Sequence, residues 1–226
     1  MLRVPEERRL EILAEDGTSL DARLAVPDGA PRAVVLAHPH PLYGGSMDDA
    51  VTVALARAFA ELGAATLRFD FRGVGHSEGR HGGGPPEIGD LLGAVRAAQR
   101  HAPGLPISLC GYSFGSWVAL QAARAHALPI DRVALLAPAL ALLDYERLPS
   151  FDGAARFEGP VAVVLGDRDA FSDPSKARAL AGRVGASVAL LSGEDHFFSR
   201  TRRRVAERLA PFVFGARDRV DEGDFA

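Results

Sequence analysis

From residue 33 to residue 214, short uninterrupted apolar runs alternate with longer stretches in which apolar positions recur every three or four residues. The short runs, at 32–37, 64–71, 107–112, 132–137, 161–166 and 187–192, have the length and β-branched content of buried strands. The longer stretches predict a helix ending near 62 and further helices over 87–99, 114–127, 174–184 and 202–214. Ser46-Met47-Asp48-Asp49 resembles a capping box ahead of the first of them. Two more strands, 9–14 and 19–26, come first, joined by Glu15-Asp16-Gly17-Thr18, whose Asp-Gly pair is a hairpin signal. Strands that are apolar throughout and flanked by amphipathic helices must be covered on both faces. The pattern therefore predicts an α/β fold with a mostly parallel sheet of about eight strands, the first pair forming an antiparallel edge. Neither a linker nor a repeat divides the chain. It reads as one domain over 1–215 and a polar, frayed tail over 216–226.

Composition narrows the function classes. With 26 basic and 29 acidic side chains in 226 residues, there is no basic footprint for nucleic acid. A 47% hydrophobic content is that of a folded soluble chain. The single cysteine, Cys110, excludes an internal disulfide and any cysteine-rich zinc module. The sole lysine, Lys176, follows no glycine-rich loop, so a P-loop is absent and Schiff-base chemistry has almost no candidate. The first ten residues, MLRVPEERRL, hold no apolar signal region. No run approaches the ~20 apolar residues of a membrane span. The expectation is a cytoplasmic protein with no membrane partner.

The chemistry concentrates at Gly111-Tyr112-Ser113-Phe114-Gly115, where an apolar strand ends and an apolar helix begins. A serine on so sharp a turn is pushed out over the sheet edge, and flanking glycines let strand and helix approach closely. The helix N-terminus behind it offers free N–H groups to developing negative charge. A serine hydroxyl needs a base, and the base an orienting carboxylate. Among the seven histidines, only His196 follows a strand after the serine; His101 and His126 fall near helix ends. Asp169 is the favoured acid, at the end of the preceding strand, with Asp167, Asp173 and Asp144 as alternatives. One of these aspartates is expected to cap the helix at Pro174.

A second oxyanion donor is expected in the loop after an early strand, His38-Pro39-His40-Pro41-Leu42-Tyr43-Gly44-Gly45. Prolines 39 and 41 have no N–H, which leaves His38 and His40, with the His40 N–H paired to that of Phe114. A rival reading makes His38 and His40 a metal pair, but no third ligand is in sight, and neither metal nor cofactor is expected. Tyr43, Tyr112 and Phe197, beside these motifs, are the expected substrate contacts. In residues 68–79 (RFDFRGVGHSEG) the glycines miss the dinucleotide fingerprint by one residue and are read as loop-shaping, with Asp70 and Arg72 paired in that loop. Cys110 and Trp117 are read as packing residues.

Together HPHPLYGGSMD (38–48), LRFDFRGVGHSEG (67–79), the serine pentapeptide and DHFF (195–198) resemble the α/β-hydrolase superfamily over nearly the whole chain. More narrowly they resemble small lid-less bacterial hydrolases similar to dienelactone-hydrolase-like and short-chain esterase proteins. The resemblance implies Ser113 as nucleophile, His196 as base, Asp169 as acid, and His40 and Phe114 as oxyanion donors. Dienelactone hydrolases carry cysteine where this chain has Ser113, which points to ester chemistry. Only residues 141–159 separate the fourth and fifth parallel strands, too little for a cap domain, so short acyl groups on a small-molecule ester are the expected substrates. A thioesterase or peptidase using the same residues, and a non-catalytic binding protein on the same fold, are the competing readings.

Overall fold

The computed structural model describes residues 6–125, 129–145 and 157–221. Its strands are β1 (Arg8–Leu13), β2 (Ser19–Ala25), β3 (Ala33–Ala37), β4 (Ala65–Phe69), β5 (Ile107–Tyr112), β6 (Ile130–Leu136), β7 (Val161–Gly166) and β8 (Ser187–Leu191). They form one eight-stranded sheet in the order β1-β2-β4-β3-β5-β6-β7-β8. Only the β1–β2 and β2–β4 pairings are antiparallel; every pairing from β4 to β8 is parallel.

The continuous apolar strands arise because their side chains alternate between two separate cores. On β3, Val35 points to one face and Val34 and Leu36 to the other, and on β5 Leu109 and Cys110 divide in the same way. The first core is covered by α2 (Pro85–His101), α3 (Phe114–Ala125) and α4 (Pro174–Val184), through Leu91, Val95, Val118 and Leu180. The second is covered by α1 (Ala50–Glu61) and α5 (Arg202–Val213), through Leu55, Phe59, Leu209 and Phe212. Each such side chain contributes about 1.5–3 kcal/mol on full burial. The chain leaves β3 in one direction to reach β4 and crosses back to β5 on the other side. The carboxyl ends of β3 and β5 thus flank the topological switch point, where open α/β sheets bind ligands. Among the described residues no helix is long and apolar enough to cross a membrane.

Three local expectations differ from the structure. The first helix is capped by Asp49, whose Oδ1 accepts the Val51 and Thr52 N–H groups at 2.8 and 3.4 Å. Ser46 instead closes a turn one step earlier, accepting from Asp48. Asp70 and Arg72 are not partners. Asp70 accepts the Met47 N–H at 2.7 Å, while the Arg72 guanidinium grips Asp90 at 2.6 Å and Asp16 at 2.9 Å. The glycines of this loop do shape it: Gly73, Gly75 and Gly79 have φ of 75°, 56° and 78°. Residues 216–221 do not fray. Val220 is buried, its N–H donates to Ser187 Oγ, and Arg132 donates to the Arg217 carbonyl. Of the stretch expected to be too short for a cap, residues 146–156 lie outside the described residues, as do 126–127 of the helix expected over 114–127.

Candidate active site

The sharp turn after β5 is enforced by contact. A Cβ on Gly111 would sit 2.3 Å from the Gly115 carbonyl oxygen, and one on Gly115 would sit 2.2 Å from that of Ala37. Only glycine lets α3 start this close to β5 and β3. Between them Ser113 is held at φ 55°, a left-handed conformation that costs a non-glycine residue about 1–2 kcal/mol. The turn is pinned by the Ser113 N–H to Leu136 O at 2.9 Å. The Ser116 hydroxyl adds further anchoring, lying 2.8 Å from Gly111 O and 2.9 Å from Leu136 O.

His196 arrives from the loop after β8. Its Nε2 lies 3.0 Å from Ser113 Oγ, and its Nδ1 lies 2.8 Å from Asp169 Oδ2. A carboxylate can only accept, so a neutral His196 ring carries its proton on Nδ1 and turns the lone pair of Nε2 toward the serine. The other oxygen of Asp169 lies 3.0 Å from the same Nδ1 and accepts the Phe171 and Ser172 N–H groups at 2.8 and 3.0 Å. Two of the alternatives, Asp167 and Asp173, have other side-chain partners. Asp167 accepts the Gly193 N–H, Asp173 caps α4, and the Asp144 carbonyl receives the Trp117 indole N–H. Tyr112 donates to the His196 carbonyl at 3.1 Å, and a Cβ on Gly166 would meet Glu194 O at 2.1 Å. The loops bearing Asp169 and His196 are therefore packed backbone to backbone.

After β3, the His40 ring accepts the Leu42 N–H through Nδ1 and starts a single helical turn over Pro41–Tyr43. The ring packs 4.9 Å from those of Tyr43, His81 and Phe114. Burial first and His81 second hold the His40 pKa below its ordinary value, with Glu87 opposing, which keeps Nδ1 an acceptor. The contact between the His40 and Phe114 side chains sets the spacing of the two residues expected to supply oxyanion donors. Among the described residues, neither the His40 nor the Phe114 N–H donates a hydrogen bond within the protein.

His38 does not pair with His40 as a metal ligand. Its Nδ1 donates to Pro39 O at 2.6 Å and its Nε2 accepts the Phe71 N–H at 3.0 Å, so neither nitrogen has a lone pair to give. Desolvation lowers its pKa from 6.5 to about 3, only partly offset by the Pro39 bond. The sign follows directly: below pH 6.5 the unfolded chain takes up a proton that the folded chain refuses. This contribution is therefore complete above pH 6.5 and declines toward about pH 3, by about 1.4 kcal/mol per pH unit. Urea unfolding at pH 6.5 and 5.0 should show the wild type losing about 2 kcal/mol more than His38→Gln; equal losses would contradict it.

These residues meet in an open cleft of about 430 Å³ lined by Ser113 and His196, by His40, Tyr43, Tyr112 and Phe197, and also by Asp49, Leu142 and Phe171. Tyr43 and Phe197 are exposed, at 77% and 51%, whereas Tyr112 is buried and presents little surface to a ligand. Phe171 and Leu142 escaped sequence reasoning. The signal available was an apolar residue in a short polar loop, Asp169-Ala170-Phe171-Ser172-Asp173, two positions beyond Asp169; Phe171 packs edge-on, 4.9 Å from the His196 ring. His126 lies outside the described residues, and His101 is on the surface with Arg8.

A family model described as serine aminopeptidase, S33, matches residues 31–153, which include the His40 loop and the Ser113 turn. An uncharacterized protein of Rickettsia prowazekii is 30% identical over 197 residues, 84% of this chain and 81% of its own length. An α/β serine hydrolase homologue from Coxiella burnetii superposes with a TM-score of 0.76 at 28% identity, covering 92% of this chain and 98% of that one. XC6422 from Xanthomonas campestris, an α/β serine hydrolase without a lid, gives 0.77 at 28% identity over 93% and 94%. With a sheet of this topology and a family match through its switch-point loops, the chain belongs to the serine aminopeptidase S33 family, within the α/β-hydrolase superfamily.

Proposed function

We propose that the protein is a serine hydrolase that cleaves carboxylic esters of short acyl groups through an acyl-enzyme. The observation that carries this reading is the unbroken bond chain from Ser113 Oγ through His196 to Asp169, opening on a cleft. A binding protein has no use for a base held at 3.0 Å from a strained serine. His196 Nε2 takes the hydroxyl proton as Oγ attacks the ester carbonyl, and Asp169 stabilises the imidazolium so formed. The carbonyl oxygen, now negative, receives the His40 and Phe114 N–H groups; one such donor is worth about 2.7–4 kcal/mol. His196 returns the proton to the departing alcohol, and water repeats the cycle on the acyl-enzyme.

The cleft limits the acyl chain. A methylene contributes up to ~0.8 kcal/mol while it is buried and nothing once it leaves the cleft. Across p-nitrophenyl esters, kcat/KM should stop rising after butanoate or hexanoate and be lower for dodecanoate. A continued rise to dodecanoate would overturn the short-acyl reading. The family description favours amide cleavage as the second reading. An amino-acid p-nitroanilide turned over faster than the matching ester would establish it, and an acyl-thioester tests the thioesterase alternative in the same assay.

A further inference from the structure

The cleft at Ser113 holds one charged group that the hydrolytic chemistry does not use. Among the described residues lining it, Asp49 is the only carboxylate. Its oxygen is fixed by the Val51 and Thr52 N–H groups, so the side chain is already immobile and binding a ligand orders nothing further. The same cleft is lined by the rings of Tyr43, Phe171 and Phe197. A carboxylate beside several aromatic faces is the chemistry that receives an ammonium or quaternary ammonium group. The field at the cleft floor has the matching sign. The Tyr112 hydroxyl pKa is raised by burial first, then by the negative charges of Asp49 and Asp169, against a single opposing cation, Arg202, with Asp195 adding to the acids. The same arrangement repels an ester that carries a second carboxylate.

We propose that the cleft selects esters bearing a positively charged group, with Asp49 as the residue that sets this preference. The proposal rests on the reading of the cleft as the ester site, and two matched substrate pairs test it while locating the charge. Acetylcholine and 3,3-dimethylbutyl acetate differ only in a charged nitrogen on the alcohol side. The p-nitrophenyl esters of 4-(trimethylammonio)butanoic and 5,5-dimethylhexanoic acids differ in the same way on the acyl side. The cationic member of at least one pair should have the higher kcat/KM, by about fivefold. Asp49→Asn should bring that ratio close to one, because asparagine keeps the helix cap and removes only the charge.

A ratio at or below one in both pairs overturns the proposal, and so does a preference that survives Asp49→Asn in protein of unchanged Tm. Failure of the nucleophile reading looks different: all four esters would be inert or turned over equally by Ser113→Ala. Calorimetric binding of choline against 3,3-dimethylbutan-1-ol to Ser113→Ala then reads the same preference without turnover. Tighter binding of choline that is lost with Asp49→Asn supports the proposal, and equal binding overturns it.

Discussion

Replacing Ser113 with alanine should abolish ester hydrolysis and the mass adduct formed with a fluorophosphonate, together and in folded protein. In the proposed mechanism the hydroxyl is the only part of Ser113 that is used, and its bond is to His196. The turn itself is held by the Ser113 backbone and by Ser116, which the substitution leaves in place. Loss of a serine nucleophile from such an arrangement costs about 10³-fold or more in kcat, and what remains is transition-state binding by the other groups. Glycine separates folding from function more sharply. At φ 55° serine carries strain that glycine does not, so Ser113→Gly should be inactive yet more stable, by about 1 kcal/mol. Intact-mass spectrometry and a p-nitrophenyl acetate assay read the first outcome, and urea unfolding reads the second. Adduct formation by Ser113→Ala, or wild-type turnover, would move the nucleophile elsewhere.

The parts of this site that could be read from the sequence are those fixed by covalent order and sterics. A parallel strand covered on both faces carries a near-continuous apolar run, so β3, β5, β6 and β7 announce themselves. Gly111 and Gly115 are legible because contacts at 2.3 and 2.2 Å admit no other residue. Partners chosen across loops were less legible. Ser46 and Asp49 both suit a helix start, and which one caps it depends on where the backbone becomes helical. Asp70 and Arg72 are two apart, but the chain turns between them, and Arg72 finds Asp90 on α2 instead. The tail beyond 215 looked polar because Val220 is the one large apolar side chain among its described residues, 216–221, and the hydroxyl that receives its N–H is on β8. Phe171 and Leu142 enter the cleft through loop conformations that no periodicity encodes.

Asp169 allows a sharper test than deletion, because only one of its two oxygens is tied to backbone N–H groups. Oδ1 accepts two backbone N–H groups, from Phe171 and Ser172, and also lies 3.0 Å from His196 Nδ1, while Oδ2 makes the shorter contact to that nitrogen, 2.8 Å, and none to the backbone N–H groups. In Asp169→Asn the amide must keep its oxygen toward the two backbone donors, because an NH₂ there would leave both unpaired. The NH₂ then faces His196 and donates to Nδ1. The imidazole responds by moving its proton to Nε2, the nitrogen 3.0 Å from Ser113 Oγ, which leaves no base for the serine. The geometry survives and the tautomer is wrong, an effect worth about 10⁴-fold in kcat in a comparable triad. KM for a short ester should change far less, since the cleft walls are untouched, and a hydroxide-dependent residual rate should grow at high pH. Imidazole ring NMR provides the independent readout: the ring proton assigned to Nδ1 in the wild type should appear on Nε2 in the variant. A variant that keeps the wild-type tautomer and a kcat within tenfold of wild type would remove Asp169 from the role given to it here.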